Sequence, residues 1–338
     1  MAETTIEWAH FTQNPWIGCS RVHAGCEHCY AESYANRYGK AIWGPSGTRV
    51  KTSDANWKKP LKWNKDAEKA GERKRVFCAS LADIFEDWQG PILNHKGERI
   101  GRERPFGDGL GDVMEWGTMD DLRRDLFAMI DATPHLDWLL LTKRPENIRR
   151  MWLPIHETSH GGQSHHFIEY RHNVWLLTSV SDQKTADKYI PPLLECRDLV
   201  PVLGVSAEPL LDGANLSPYL TPSSRCGLDW VIVGGESGPK SRPCRTAWVR
   251  SIVQQCHDAN VSCFVKQLGS KPLVTVFDWR DVGFSDKDFV PDCKEEPIGS
   301  YPVGVYKPRD SKGGDMRDFP ADLRVRQFPV HCESTLGV

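Results

Sequence analysis

The chain has 338 residues, 39% of them hydrophobic, enough for a large core in one domain or one domain with sizeable insertions. A formal net charge of -2 excludes a global electrostatic drive toward nucleic acid or membranes, leaving only local basic surfaces. No stretch approaches the ~20 apolar residues a membrane span needs.

The opening MAETTIEWAHFTQNP lacks a basic stretch followed by an apolar run, so no secretory signal is expected. The expectation is a cytoplasmic protein with no membrane partner. Apolar runs rich in β-branched residues predict strands near 11–17, 75–79, 138–142, 174–179, 200–205, 230–233 and 262–265. Most are apolar on both faces (WLLLT, WVIV), as in strands buried within a parallel sheet.

Helical patterns fall between them. Tyr30–Tyr38 predicts a helix ending at Gly39, and residues 120–131 set Leu122, Leu126 and Met129 on one face. Asp182 is the expected N-cap of a helix running through Ala186, Tyr189 and Ile190 to Pro191. Thr246–Asn260 carries Val249, Ile252, Val253 and Cys256 at helical spacing. Alternating strands and helices imply right-handed βαβ units. The expected fold is therefore α/β, a parallel (β/α) barrel, complete or partial, with loop insertions. Residues 1–269 form its barrel domain.

Residues 89–118 are Gly-rich and polar and predict an insertion or lid. Residues 154–172 hold five of the twelve histidines and read as a solvated loop. Residues 270–338 lose the alternation and predict a C-terminal extension packed on the barrel. Trp57, Trp63 and Trp88 near Lys58, Lys59 and Lys62 form the best local candidate for a nucleic-acid stacking surface, though packed aromatics under a solvated basic loop is the reading preferred.

Eleven cysteines is an odd number and argues for thiols or metal ligands over a disulfide scaffold. Eight are scattered and read as small buried hydrophobes. The remaining three, Cys19, Cys26 and Cys29, form C-x6-C-x2-C between a strand and a helix. Three thiolates leave a four-coordinate centre one ligand short. In a [4Fe–4S] cluster that gap is an iron open to a ligand. In a zinc site His23 or His28 would fill it. A large core argues against structural zinc, and the end of a first barrel strand is where barrel enzymes keep their chemistry.

Polar groups recur at the expected strand ends: Ser80, Asp83 and Glu86; Lys143 and Arg144; Ser179, Ser181 and Asp182; Ser206 and Glu208; Gly234-Gly235-Glu236; Lys266 and Gln267. In a parallel barrel these ends share one rim.

The cysteine loop, whose last cysteine is followed by Tyr30, resembles that of radical S-adenosylmethionine enzymes, although their usual spacing is C-x3-C-x2-C. The stretches NPWIGCSRVHAGCEHCYAE, LLLTKRPENI, VSAEPLL, DWVIVGGESGPKSRP, FVKQLG and GGDMRDFPADLRVRQFP are similar to three-cysteine proteins encoded by phages and prophages. That resemblance implies a TIM-like, radical-enzyme-like barrel holding a [4Fe–4S] cluster and S-adenosylmethionine, supplied by an electron donor. It implies no particular substrate; nucleic acid or nucleotide enters as a candidate.

On that reading Cys19, Cys26 and Cys29 are the metal ligands. Arg144, Ser179, Gly234, Gly235 and Glu236 are candidate cofactor contacts, with Arg144 suited to a carboxylate. Lys143, Glu208 and Lys266 are the candidate catalytic groups. The alternative is a zinc-stabilised nucleic-acid-binding or interaction protein without redox chemistry.

Overall fold

The structure is a computed structural model that describes residues 4, 6–37, 42–105, 112–153, 158–160, 163–165, 170–221, 227–275, 278, 281, 289–291 and 303–329. It resolves into two compact units, Met1–Val22 with Cys29–Leu176 and Asp198–Pro201, and His23–His28 with Leu177–Arg197 and Val202–Val338.

In the first unit, β1 (Phe11–Gln13) lies parallel to β2 (Lys74–Cys78), which lies parallel to β3 (Leu136–Thr142). The first residues of β4 (Val174–Val180) come next in the sheet order. Six of the seven β3 residues are buried, because helices such as α2 (Lys59–Ala70) and α3 (Met119–Asp131) supply apolar faces to the sheet. Leu122, Leu126 and Ile130 form the buried stripe of α3, which starts at a reciprocal Thr118–Asp121 capping box. Trp63 of α2 stacks on Phe11 with ring centroids 4.5 Å apart.

The strand expected over 11–17 is broken at Asn14-Pro15. Trp16–Ile17 pairs instead with Arg49–Lys51 in a separate small sheet. Proline offers no N–H to a ladder. The Asn14 side chain accepts from Leu81 N at 2.8 Å and donates to Ser80 Oγ at 3.0 Å, tying the turn to the end of β2. The 89–118 insertion contains an antiparallel pair, Gly101–Pro105 with Asp112–Trp116. Thr158–His160 pairs with Gln163–His165, and the rest of the 154–169 stretch lies outside the described residues.

In the second unit, the order continues from β4 through β5 (Val202–Ala207) and β6 (Trp230–Gly234) to β7 (Ser262–Gln267), with β5, β6 and β7 parallel. The N-cap of α4 (Gln183–Leu194) is Asp182, which accepts from Thr185 N at 2.8 Å. The helix runs past its expected end at Pro191 through Pro192 to Leu194, with Ile190 and Leu193 buried. The Pro191 carbonyl still accepts, from Glu195 N at 3.2 Å, so the last turn survives the missing N–H groups. In α5 (Thr246–Asp258), Val249, Ile252 and Cys256 are buried. Part of the described chain beyond 269 lies along this unit's β7. Val265 N donates to Val325 O and Gln327 N to Cys263 O, each at 2.8 Å, which covers the β7 edge.

Seven parallel strands thus follow one another in chain order. A doubly wound sheet reverses order at a switch point; this order has no reversal and is compatible with a partial parallel barrel. Among the described residues, no helix is long and apolar enough to cross a membrane.

Candidate functional site

Gly18 delivers the first cysteine. Its φ is +116°, and a Cβ there would lie 2.5 Å from Ile42 O and 2.9 Å from Thr48 O, so the turn admits glycine alone. Gly18 N donates to Leu81 O at 3.0 Å, which sets Cys19 at the carboxyl end of β1 beside the loop after β2.

Around Cys19 lies a buried cluster of two carboxylates and two guanidinium groups. Asp83 accepts from Thr142 Oγ1 at 2.7 Å, Lys143 N at 3.1 Å and Arg144 Nη1 at 2.9 Å. Glu86 accepts from Ser20 N at 3.0 Å, Arg49 Nε at 2.7 Å, Arg49 Nη2 at 2.8 Å and Arg144 Nη2 at 3.3 Å. Arg144 also donates to Ser20 O at 2.9 Å and to Cys19 Sγ at 3.6 Å. The plane of Arg49 lies over the Trp88 ring, 3.9 Å from its centroid.

Charges in this cluster are paired and many lone pairs are satisfied, as burial requires. The Cys19 thiol is pushed up to about 12, first by burial and then by the Asp83 and Glu86 carboxylates, against a smaller opposing pull from Arg144. A bound cation inverts that balance, because a coordinating thiol is deprotonated outright.

Cys29 sits at the start of α1 (Tyr30–Arg37), where its carbonyl accepts from Ser33 N at 3.1 Å. Tyr30 Oη donates to Ser80 O at 2.8 Å and so fastens the helix to the β2 end. Residues 38–39, the expected helix end, lie outside the described residues.

In the second unit, Ala24–Cys26 forms a short 3-10 turn in which His23 Nδ1 accepts from Gly25 N at 3.0 Å. His28 Nδ1 lies 3.1 Å from Glu236 Oε2. Glu236 also accepts from Arg242 N at 2.8 Å, Nε at 2.9 Å and Nη2 at 2.6 Å. Burial opposes its ionisation, but the hydrogen bonds from Arg242 and His28 hold its carboxyl below the usual range. Glu208 pairs with Lys266 and accepts from Gln267 Nε2 at 3.2 Å, while Ser179 Oγ donates to Glu208 O at 3.0 Å.

The Gly-Gly-Glu tripeptide has a packing reason. A Cβ on Gly235 would lie 2.4 Å from Leu268 O and 2.8 Å from Cys244 Cβ, and one on Gly234 would lie 3.1 Å from Gln267 O. These glycines let the chain after β6 lie against the end of β7. At both positions, expected as candidate cofactor contacts, the glycine also serves close approach of neighbouring backbone.

Arg144 and Glu236, expected to face a cofactor, are engaged by protein partners. Lys143 enters the first cluster through its backbone N–H. At 56–65 the preferred reading, packed aromatics, describes the two tryptophans of that segment. Trp57 and Trp63 are buried, Trp57 donating to Pro15 O at 3.0 Å, and Trp88 is covered by Arg49. Sequence reasoning missed Arg49, which opens the short strand Arg49–Lys51, and Arg242, because neither lies at the carboxyl end of a strand of the seven-stranded sheet.

Cys19, Cys26, Cys29 and five scattered cysteines among the described residues stand outside disulfides. Thiol chemistry suits iron–sulfur or zinc. Among the described residues, however, no group of three or more His, Cys, Asp or Glu side chains is gathered as metal ligands.

Strand order and strand-end polar groups define an α/β protein of parallel βαβ units with a thiol–arginine–carboxylate cluster in its first unit. The chain belongs to the family described as Protein of unknown function (DUF5131), whose model matches residues 3–89 and 86–281. No match was found among curated proteins or among solved structures.

Proposed function

We propose that this protein is a radical S-adenosylmethionine-like iron–sulfur enzyme, with Cys19, Cys26 and Cys29 as cluster ligands. The observation that carries the reading is the delivery of Cys19 by Gly18 to the end of β1, against Arg144 from the end of β3. The C-x6-C-x2-C spacing and the resemblance to three-cysteine phage proteins support it. A bound cluster with one open iron supplies one-electron reduction of S-adenosylmethionine, a source of radicals for hydrogen abstraction.

The chain's own residues then take distinct roles. Arg144 positions Cys19, since its guanidinium is engaged by Asp83, Glu86 and Ser20. Lys143 takes over as the cation for the cofactor carboxylate. Glu208 and Lys266, each partly open to solvent, are suited to moving a proton. Ser179 holds the Glu208 backbone. Electrons come from an external donor, and a nucleotide or nucleic acid is the substrate class. The thiols suit a reducing, cytoplasmic setting.

A second reading, structural zinc, is favoured by the His28–Glu236 contact at 3.1 Å. A carboxylate on one ring nitrogen is the usual support for a histidine that ligates metal through the other.

Anaerobic reconstitution with iron, sulfide and zinc measured together tests both. The expected product is brown with about four irons and four sulfides per chain, lost in Cys19→Ala, Cys26→Ala and Cys29→Ala and retained in Cys196→Ala. Stoichiometric zinc without iron overturns the cluster.

A further inference from the structure

In the first unit, helix α2 is held to the sheet by one face. Pro60, Trp63 and Ala67 are its buried residues. Trp63 stacks on Phe11, and His135 N donates to Asn64 Oδ1 at 2.8 Å. At 3.6 residues per turn, Lys58, Lys62, Lys65 and Lys69 fall on the opposite face, inside an arc of about 60°. All four are exposed. At ~1.5 Å of rise per residue, the row they form is about 16 Å long.

The row is a local exception in a chain of net charge -2. From Lys58 to Ala70 there are five lysines against two carboxylates, Asp66 and Glu68, which flank the row on either side. Lys59 Nζ donates to Asn56 Oδ1 at 3.0 Å, and Glu68 faces His135 Nε2 at 3.7 Å. Among the described residues, the side chains of Lys58, Lys62, Lys65 and Lys69 make no hydrogen bond or ion pair. Four ammonium groups in a straight row on a docked helix suit a linear polyanion.

We propose that this lysine row is a contact surface for the phosphate backbone of a nucleic-acid duplex. Duplex DNA carries one charge per ~1.7 Å of axis, so a row of this length meets several phosphates whatever the base sequence. A single strand fits less well, since strand binders stack bases on aromatic side chains, and both tryptophans of this segment are buried. A membrane fits less well too. A helix at a lipid surface sinks its apolar face below the headgroups, and here Pro60, Trp63 and Ala67 are already turned into the protein. The surface narrows the nucleic-acid substrate class given above, and it needs no bound metal.

Fluorescence anisotropy of the full chain with a labelled duplex and with the corresponding single strand, and co-sedimentation with phosphatidylserine vesicles, test it. Log affinity for the duplex should fall against log salt with a slope of about -3 to -4 when all four lysines are engaged. Lys62→Gln and Lys65→Gln should each weaken binding by about twofold to fivefold, as loss of an exposed ion pair does. Each should also reduce the slope by about one. The double variant Lys62→Glu with Lys65→Glu should abolish binding at physiological salt. Lys184→Gln, an exposed lysine elsewhere, should leave binding unchanged. No duplex binding at low salt, an unaltered slope in both glutamine variants, or tighter capture of the single strand or the vesicles overturns the proposal. Iron and zinc contents are read separately, so loss of the cluster reading leaves this surface standing, and loss of duplex binding leaves the cluster standing.

Discussion

In the first unit, Asp83 and Glu86 share two arginines, and none of the four side chains is more than 12% exposed. In the second, Glu208 and Lys266 form a pair with 17% and 22% of their side chains exposed. Both arrangements sit at strand ends, yet they differ in what they do. The buried cluster braces Ser20 and Cys19 through several bonds at once, so losing one member strands the others in a poorly solvated place. The Glu208–Lys266 pair is more open to solvent and can reorganise with water, so it is expected to contribute less to stability.

Glu86→Ala is the strongest way to break this contrast. It removes the carboxylate partner of Arg49, whose side chain is 0% exposed. Urea unfolding should show a loss of about 3–5 kcal/mol. A loss below about 1 kcal/mol would mean the cluster is as solvated as the second unit's pair.

Next in size is Gly235→Ala, whose Cβ would meet Leu268 O at 2.4 Å. Overpacking of this kind costs about 1–3 kcal/mol, read as a lowered Tm. It sharpens the comparison by showing that close backbone packing, more than charge pairing, stiffens the strand ends of the second unit. An unchanged Tm would remove that distinction.

Smallest is Lys266→Met, expected to change stability by less than about 1 kcal/mol. A larger loss in the same urea titration would place Glu208–Lys266 in the class of the buried cluster.

Most of the seven sheet strands were legible because their apolar runs are continuous, which marks strands covered on both faces. Helix starts at Asp182 and Thr246 were legible for equally local reasons, Asp182 as a cap residue and Thr246 as the first residue of a run with period-3.6 burial. The first strand was overextended because Trp16–Ile17 is apolar and reads as strand, while the sheet it joins depends on distant Arg49–Lys51. The three cysteines stood out by spacing alone. The company they keep did not.

The sequence by itself determined the alternation of elements, the parallel character of the sheet and which strand ends carry polar groups, since these follow from short-range periodicity. Tertiary structure alone decided the partners of those groups. Arg144 meets Asp83 across 61 residues, Arg49 meets Glu86 across 37, and Lys266 meets Glu208 across 58. Such pairings depend on loop paths and on the register of neighbouring strands, and a charged residue's own neighbourhood in the chain is the same whether it ends in a buried cluster or in water.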